Sequence, residues 1–464
     1  MELWESMRFG MQAIRLRRAA AKPREEIERI QRSRLDELVR HAREHSDFYR
    51  EKLSAAGESD FALTDLPTVT KSQLMQNFDR AVTSPDIRRA EVESFLADES
   101  NLGKYFRDEF VLSHTSGSQG QPMLIVQTKE NLELLFALHA ARGNRRLGVG
   151  QIVERFTSPA RLAAVTLKRG FYPSGIAFEY LPEGARRYIQ TMRVYLGDDD
   201  MLERLQGFRP THLTAYASVL HHLARQIEQG RLTLQPELEQ VVNISERLMP
   251  KAREHYAKVF GAPILDDYAM GECLFLSNGC AASGGMHVNA DWAILEVVDE
   301  GNRPVAEGAK AAKVLLTNLA NFVQPFIRYE VGDIVTMAAK ECGCGSNLPL
   351  IKSIEGRDSD MFWMHTASGD RPVPPAIFDL AMAEVVDARE YQVIQEANDR
   401  IRVLVEPLPG VEFDRGRAQK VLDEQLEEYG LAPELKAELE VVERLAPESG
   451  SKFKRFVSKL AAPH

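Results

Sequence analysis

The sequence predicts an α/β protein with a large N-terminal multilayer α/β domain and a small α+β C-terminal domain. Strand-like and helix-like stretches alternate through the first two-thirds of the chain, the pattern of helices layered on a sheet. The 464 residues exceed what one hydrophobic core usually supports, so at least two domains are expected. We place the boundary at residues 354–358, which gives domains of residues 1–356 and 357–464.

The N-terminal part of the chain predicts helices. Residues 1–18 form the first, and its apolar residues at helical spacing are Trp4, Met7, Met11 and Ile14. Interspersed arginines leave two interpretations open: an arm packed on its own domain with solvated arginines, or an interfacial helix on an anionic membrane or a partner. A charged amphipathic helix is predicted over residues 25–57, and residues 66–71 predict a turn followed by a helix cap.

The middle of the chain predicts alternating strands and helices. Two apolar runs, 110–112 and 123–126, flank a loop rich in hydroxyl residues and glycine, and helical periodicity resumes over 129–142. The further predicted elements are a strand at 212–215 with a helix from Ser218 to Gln229, an apolar run with acids at 263–268, and strands at 292–298 and 313–317 around a turn at 300–302.

Beyond the boundary the pattern predicts a compact α+β unit of about one hundred residues, the size of a small domain. Its predicted elements are a loop at 366–375, a helix at 376–385, a strand pair at 391–396 and 401–405, a helix at 414–428 and a strand at 435–442.

The composition excludes several classes of protein. With 44% hydrophobic and 27% charged residues the chain is typical of globular proteins, and a net charge of −10 argues against nucleic-acid binding. No apolar run approaches the length of a membrane span or of a secretory signal, so we expect a cytoplasmic protein without an integral membrane segment. Four cysteines do not suggest a disulfide scaffold.

The loop at residues 115–120 is a candidate phosphate site, because hydroxyl groups and backbone N–H groups can converge there on an anion. Glycine lets the backbone approach that anion closely. An ordinary Ser/Gly hairpin loop is the alternative, since turn chemistry alone explains the composition. Four further segments follow in order, at residues 268–272, 326–333, 356–360 and 449–455.

Together and in this order, these segments resemble the AMP-forming adenylating enzymes, the superfamily of acyl-CoA synthetases, peptide-synthetase adenylation domains and luciferases. The chain is most similar to the phenylacetate-CoA ligase branch and its CapK-like relatives. Supporting segments lie at residues 45–50, 66–71, 215–220 and 391–395, so the resemblance covers roughly residues 30 to 460.

The resemblance implies a role for each matching residue. Transfer of a nucleotidyl group from ATP needs a cradle for pyrophosphate, a metal ion and positive charge near the α-phosphate. Glu272 is implied to hold Mg²⁺, a hard cation suited to carboxylate oxygens, and Lys452 to stabilise charge from a mobile small domain. The phosphate loop matches at Thr115, Ser116, Gly117, Ser118 and Gly120. The other implied contacts are Tyr268 on adenine, Glu246 beside the nucleotide, Asp333 on the ribose, and Arg357 near ribose and phosphate, where it also acts in catalysis.

The chain departs from the family pattern at four positions. Gln119 stands where threonine is usual, Gly271 where a hydroxyl residue is common, and Ser451 where glycine is usual. Ser359 falls where an aspartate commonly acts as the domain hinge. These changes bear on the substrate and the second half-reaction more than on adenylation. The segments expected to line the acid pocket surround Phe156, Tyr216, Ser245 and Ala269.

Three cysteines and one histidine form a second candidate site. Cys280, His287, Cys342 and Cys344 offer three thiolates and an imidazole, a set that suits tetrahedral structural zinc. Similar sets occur in part of the phenylacetate-CoA ligase-like branch. The alternative is buried reduced cysteines acting as small apolar residues. Cys273 has no matched partner, and we interpret it as a packed free cysteine, with a redox-sensitive thiol as the alternative.

The resemblance thus implies an ATP-dependent, AMP-forming ligase that turns a small carboxylic acid into an acyl-adenylate and then transfers the acyl group to coenzyme A. The small domain would rotate about residues 357–361 between the two steps. An adenylating or amide-forming ligase that uses another acceptor, and a non-catalytic zinc-stabilised homologue, remain alternatives. The resemblance implies no nucleic-acid partner and leaves the oligomeric state open, a homodimer included. A P-loop kinase or GTPase is poorly supported, because the loop lacks the lysine of that motif.

Overall fold

The fold is described from a computed structural model. The described residues are 2–57, 61–115, 122–143, 154–155, 157–166, 169–196, 198–235, 237–246, 248, 250–309, 312–357, 362–366, 369–373, 375–385, 387–408, 411–445 and 454–460. The chain divides into two compact units. Unit 1 comprises Met1–Leu248, Glu254–Val331 and Val335–Ser353, and unit 2 comprises Met249–Arg253, Gly332–Ile334 and Ile354–His464.

Most helices of the described residues lie in the first half of the chain. The helices are α1 (Glu2–Ala20), α2 (Arg24–His45), α3 (Asp47–Lys52), α4 (Lys71–Gln76), α5 (Phe78–Ala81), α6 (Arg89–Ala97), α7 (Lys129–Leu138), α8 (Pro173–Glu179), α9 (Met201–Phe208), α10 (Ala217–Glu228), α11 (Pro250–Phe260), α12 (Ala376–Glu384) and α13 (Arg415–Glu428). Short 3₁₀ turns lie at Leu63–Asp65, Glu99–Asn101 and Glu183–Ala185, and a π-helical turn at His139–Gly143 follows α7.

The strands are mostly short and begin only after α6. They are β1 (Phe110–His114), β2 (Leu124–Thr128), β3 (Ala160–Thr166), β4 (Ile189–Tyr195), β5 (His212–Ala215), β6 (Gln240–Ile244), β7 (Ile264–Asp267), β8 (Ser277–Gly279), β9 (Met286–Val288), β10 (Ala293–Val298), β11 (Lys313–Asn318), β12 (Tyr329–Val331), β13 (Asp333–Met337), β14 (Leu350–Arg357), β15 (Phe362–Thr366), β16 (Gly369–Val373), β17 (Ala388–Ala397), β18 (Arg400–Pro407), β19 (Lys436–Val441) and β20 (Phe456–Ser458).

Unit 1 contains a parallel sheet with the strand order β4-β3-β5-β6-β7. Ala215 pairs with Asn243, and Ile244 pairs with Asp267. The carboxyl ends of β5, β6 and β7 therefore lie at one edge, which is where open α/β sheets bind ligands.

An antiparallel hairpin of β1 and β2 carries the candidate phosphate loop. The register runs from Phe110 opposite Thr128 to His114 opposite Leu124, so the ladder ends where the loop begins. Leu112, Ile125 and Val126 are fully buried in a core shared with α2 to α6. Both faces of each strand are covered, which explains why each strand is a continuous apolar run and not an alternating one.

Two further sheets have the orders β10-β11-β12 and β13-β14-β9-β8, and β13 begins in unit 2 with Asp333 and Ile334. β14 runs across the division between Ser353 and Ile354. The strands predicted at 292–298 and 313–317 are confirmed as β10 and β11. The α/β fold class is confirmed as well.

Unit 2 has its own core under a sheet of order β19-β18-β17-β20. Phe362, Phe378, Val393, Val403 and Leu422 are among its buried residues. The predicted helices and strands of this region are confirmed within a few residues. The loop predicted at 366–375 is wrong in part, because it contains β16, which pairs with β15 as a hairpin.

The structure tests two predictions for the N-terminal part of the chain. The single helix predicted over 25–57 is wrong, because Ser46 adopts an extended backbone and caps α3, its side chain accepting from the N–H of Tyr49. The helix predicted over 1–18 is confirmed as α1. Within the described ranges, none of the helices has the length and apolar character that a bilayer crossing requires.

Candidate nucleotide site and metal cluster

Tyr268, the proposed adenine-stacking residue, directly follows β7 at the carboxyl edge of the parallel sheet and is buried. Ser277 forms hydrogen bonds to the backbone of Tyr268. The Ser277 hydroxyl accepts from the N–H of Tyr268 at 2.9 Å and donates to its carbonyl at 3.0 Å, and the Ser277 N–H donates to that carbonyl at 3.1 Å. Ser277 is fully buried, so these bonds face no competition from water.

Glu272, the proposed magnesium ligand, lies in a tight turn immediately after Tyr268 and is buried. Two backbone hydrogen bonds between Met270 and Cys273, of 3.3 and 2.9 Å, close this turn. The Asn318 amide donates to the Glu272 carbonyl at 2.7 Å. The turn is thus fixed to the end of β11.

Gly271 brings the phosphate loop and this turn together. A Cβ added at Gly271 would lie 3.0 Å from Cγ of Pro173 and 3.3 Å from Cγ2 of Thr115. The Gln127 amide donates to the Gly271 carbonyl at 3.2 Å. A side chain at position 271 would therefore fit only if Thr115 or Pro173 shifted.

Thr115 stands at the entry to the phosphate loop. Its Oγ1 accepts from the N–H of Met123 at 3.0 Å, and its own N–H donates to the Met123 carbonyl at 3.0 Å. Thr115 and the turn containing Glu272 are thus adjacent. The remaining predicted loop residues, Ser116, Gly117, Ser118 and Gly120, lie outside the described residues.

The predicted residues of unit 2 are only partly described. Asp333 begins β13 and is buried. Arg357 ends β14, and its side chain lies outside the described part, as does Lys452. In unit 1, the guanidinium of Arg328 forms a buried ion pair with Glu296 at 2.9 Å and donates to the Leu66 carbonyl at 2.6 Å. Arg328, part of the segment predicted at 326–333, is thus committed to the packing of its own unit.

Glu246 lies just beyond β6 in a strained turn. Ser245 has a φ of +62°, and the N–H of Glu246 donates to the Ile244 carbonyl at 2.7 Å, closing a γ-turn. The Asn243 amide holds this turn by donating to the Glu246 carbonyl at 2.7 Å and to Oδ1 of Asp266 at 2.9 Å. Strain of this kind concentrates at ligand sites.

Tyr216, one of the expected pocket segments, follows β5 at the same edge and is buried. Burial and the nearby carboxylate of Glu246 raise the pKa of Tyr216. Its hydroxyl lies 2.6 Å from Oγ of Ser174, a residue of α8 that the sequence analysis missed. Phe156 lies outside the described residues.

A buried polar group beside Tyr268 was also missed. The Asp267 carboxylate accepts from the N–H of Gly279 at 2.8 Å and lies 3.4 Å from Nδ1 of His139. Burial raises the pKa of Asp267. His139 begins the π-helical turn, and no local sequence pattern links it to Asp267, which lies on another element.

The four predicted metal ligands converge. One ligand atom from each of Cys280, His287, Cys342 and Cys344 lies within 4.8 Å of the others. Sγ of Cys280 lies 3.6 Å from Sγ of Cys342, and Sγ of Cys344 lies 3.2 Å from Nε2 of His287. Nδ1 of His287 bonds to the Leu348 carbonyl at 2.8 Å, the second contact that metal-bound histidines usually make.

These distances fit a tetrahedral metal site. Zn–S bonds of about 2.3 Å give a tetrahedron whose edges are about 3.8 Å, close to the separation of the two sulfurs. Although burial opposes it, hydrogen bonds from Ser283 and Ala282 lower the pKa of the Cys280 thiol to about 6, which favours its thiolate, whereas burial raises the pKa of Cys344 to about 11. Cys273, by contrast, is fully buried, and burial raises its pKa, in agreement with a packed free cysteine.

A short strand connects the metal cluster to the nucleotide residues. Cys280 directly follows β8, and Asn278 in β8 pairs with His287 in β9. The other side of β8 contacts Asp267 and Tyr268 through Gly279 and Ser277. A Cβ at Gly279 would lie 2.6 Å from the Asp266 carbonyl, so glycine permits this close approach.

Comparison with known proteins finds distant relatives of this chain. No model of a protein family matches the chain. A phenylacetate-coenzyme A ligase of Thermus thermophilus is 26% identical over 422 residues, covering 88% of this chain and 86% of that protein. Protein CapK of Staphylococcus aureus is 20% identical over 365 residues, covering 71% and 68%.

A solved structure shows the fold. The crystal structure of 2-hydroxyisobutyryl-CoA ligase in the postadenylation state, in complex with 2-HIB-AMP, has a TM-score of 0.72 at 21% identity and covers 95% of this chain and 91% of that one. A second structure of that ligase holds 2-HIB-AMP and CoA in the thioesterification state, with a TM-score of 0.58. The chain is thus similar in sequence to phenylacetate-CoA ligases and to CapK, and it has the fold of 2-hydroxyisobutyryl-CoA ligase.

Proposed function

We propose that this protein is an ATP-dependent, AMP-forming acid ligase that makes an acyl-adenylate and then an acyl-CoA thioester. One observation carries the proposal: Thr115 lies against Gly271, between Tyr268 and Glu272. The residues assigned to pyrophosphate, adenine and Mg²⁺ therefore meet at one edge of the parallel sheet. The relatives named as CoA ligases support the second step.

In the first step an oxygen of the substrate carboxylate attacks the α-phosphorus of ATP, and the bond to the pyrophosphate oxygen breaks. The loop at 115–120 would bind the leaving pyrophosphate through N–H and hydroxyl donors. Glu272 would hold Mg²⁺, which neutralises charge on the phosphate oxygens. Tyr268 would stack on adenine, with Glu246 beside the nucleotide.

We assign the remaining roles to the region from Asp333 onward. Asp333 would accept hydrogen bonds from the ribose hydroxyls, and Arg357 would lie near ribose and phosphate. Lys452 would stabilise the charge that develops during adenylation. In the second step the CoA sulfur attacks the acyl carbonyl carbon and AMP leaves, after the domain of residues 357–464 rotates relative to residues 1–356 about 357–361.

We also assign a structural zinc ion to Cys280, His287, Cys342 and Cys344. The support is the tetrahedral spacing of their ligand atoms and the second hydrogen bond of His287. Zinc bound by four protein ligands stabilises the fold and does no chemistry. Reduced thiols, ATP and CoA are all cytoplasmic, so we place the enzyme in the cytoplasm.

A pyrophosphate-release screen over aromatic, aliphatic and amino acids tests the adenylation step. We expect release with one class of acid, and a loss of at least about a hundredfold in Lys452→Ala. Lys454→Ala, a neighbouring exposed lysine, is the matched control and should keep full activity. Zero release across the panel, with Lys452→Ala indistinguishable from the parent protein, would favour a non-catalytic homologue.

The same reaction with and without CoA tests the second step. We expect a thioester and consumption of the free thiol. Acyl-adenylate formed without any loss of CoA thiol would instead support the ligase that uses another acceptor, and amines should then be tried as the acyl acceptor.

A further inference from the structure

Helix α1 has two apolar faces, and one of them is packed on unit 1. The buried residues on the packed face are Phe9, Ala13, Leu16 and Ala20. The Phe9 and Tyr188 rings lie 5.7 Å apart, the Tyr188 hydroxyl donates to the Ser6 carbonyl at 2.9 Å, and Arg142 donates to the Leu16 carbonyl at 3.0 Å. The helix is therefore fixed in orientation on its own unit.

The second face points away from the packed one and carries Trp4, Met7 and Met11 of the predicted apolar set, together with Leu3, whereas Ile14 is half-buried. Leu3, Trp4, Met7 and Met11 are 52%, 65%, 51% and 43% exposed. At 100° per residue these side chains lie on the side opposite Phe9 and Ala13. Among the described residues, the other large apolar side chains with comparable exposure are Val411, Tyr429 and Val441, all far from α1 in sequence.

Arginines flank the exposed stripe. Arg8, Arg15 and Arg18 are exposed and follow the same side of the helix. Arg8 pairs with Glu133 at 2.7 Å, whereas Arg15 and Arg18 have no carboxylate partner in the part of the chain that the structure describes. In a chain of net charge −10, this face is a local positive patch next to exposed Trp, Leu and Met.

We propose that the outer face of α1 docks on an anionic lipid surface. Trp4, Met7 and Met11 would enter the boundary between headgroups and acyl chains, as the apolar residues of interfacial helices do. Arg15 and Arg18 would contact lipid phosphates, and the negative surface potential of the membrane would attract each guanidinium group. The helix would lie parallel to the surface while its other face stays packed on unit 1.

The size and charge of the face favour lipid over a second copy of the chain. A helix of 19 residues is about 28 Å long and offers roughly 300 Å² on one face. A stable dimer buries about 800 Å² per partner. Lipid binding requires no such area, because apolar insertion and attraction between arginine and phosphate add together.

Co-sedimentation with vesicles tests the proposal, using phosphatidylcholine mixed with phosphatidylglycerol and phosphatidylcholine alone. We expect binding to the mixed vesicles that weakens as salt rises, with a blue shift of Trp4 emission measured as the difference from Trp4→Phe. Met7→Glu and Met11→Glu should each weaken binding about tenfold or more. Arg15→Gln and Arg18→Gln should each weaken it about fivefold.

Matched controls place the same changes elsewhere on the surface. Val441→Glu and Arg303→Gln alter an exposed valine and an exposed arginine that are not part of α1, and both should bind vesicles like the parent. Circular dichroism and pyrophosphate release should be unchanged in every variant. Absence of binding to the mixed vesicles, or equal binding by Met7→Glu, would overturn the proposal. So would a solution dimer that Met7→Glu dissociates, since the face would then join two copies of the chain.

Discussion

At the scale of single residues, Ser277 is a buried polar side chain that hydrogen-bonds to Tyr268 of the candidate nucleotide site. Its hydroxyl both accepts from and donates to the backbone of Tyr268. Replacing the hydroxyl with hydrogen leaves a buried N–H without an acceptor, which costs about 1–3 kcal/mol. It also frees the backbone that orients the Tyr268 ring.

Ser277→Ala should therefore weaken AMP binding about tenfold, measured by titration calorimetry. Ser46→Ala is the matched control, because Ser46 is equally buried and bridges Tyr49 N–H and the Arg80 carbonyl. The control should lose stability but keep its affinity for AMP. Equal AMP affinity in the two variants would contradict the positioning role of Ser277.

His212 gives the protein a predictable response to pH. It opens β5, its Nδ1 lies 2.9 Å from Oγ1 of Thr211, and burial lowers its pKa to about 4. The unfolded chain, with a pKa of about 6.5, binds the proton more readily. Because His212 is held neutral in the folded protein, its contribution to the free energy of unfolding is present above pH 6.5 and is lost as the pH falls towards 4.

Chemical denaturation at pH 7 and pH 5 should show a loss of about 2 kcal/mol from His212. His212→Gln, which cannot titrate, should reduce the difference between the two pH values by that amount. His45→Gln changes an exposed histidine and should leave the difference as it is. An unchanged difference in His212→Gln would show that the histidine is not held neutral.

At the scale of elements, β8 joins the candidate metal cluster to the candidate nucleotide residues. It has three residues, too few to hold a fixed position by backbone pairing alone. Cys280 at its end and His287 opposite Asn278 fix one side, and Asp267 and Tyr268 form the other. Loss of the metal should thus release β8 and, with it, Tyr268.

The purified protein should contain about one zinc ion per chain. Chelation, or Cys342→Ser, should remove it, lower the melting temperature and speed amide hydrogen exchange over residues 264–280. Cys273→Ser alters a cysteine outside the cluster and should retain zinc. Unchanged exchange over 264–280 in metal-free protein would contradict the coupling through β8.

At the scale of the whole molecule, the two units have separate cores. Unit 1 is built around the hairpin of β1 and β2 and the parallel sheet, and unit 2 around β17, β18, α12 and α13. Thr115, Tyr268 and Glu272 all belong to unit 1, whereas Lys452 belongs to unit 2. Nucleotide binding and catalysis should therefore separate when the chain is cut.

A chain ending at Arg357, which keeps β14 whole, should bind AMP and release no pyrophosphate. Full-length Lys452→Ala is the control and should behave alike in both measurements. Calorimetric AMP binding by the shortened chain, compared with the parent, checks the expectation. Pyrophosphate release by the shortened chain would show that Lys452 is not required for adenylation.

The sequence by itself determined the α/β class, most elements and the order of the chemical segments. The apolar runs in β1, β2 and β7 predict strands from residues that are adjacent in the sequence. The four zinc-type ligands were likewise predicted from their chemistry, and the structure brings their ligand atoms together. These features depend on local sequence or on residue types, so they can be predicted without knowing how the chain folds.

Only the tertiary structure decided which surfaces meet. Periodicity located the apolar stripe of Trp4, Met7 and Met11 in α1, but packing buried Phe9 and Ala13 and left that stripe exposed. Likewise, only the tertiary structure brings Thr115 and Pro173 close to Gly271. Helical period fixes which residues share a face, whereas contacts between distant segments decide which face is covered, because they depend on how the whole chain packs.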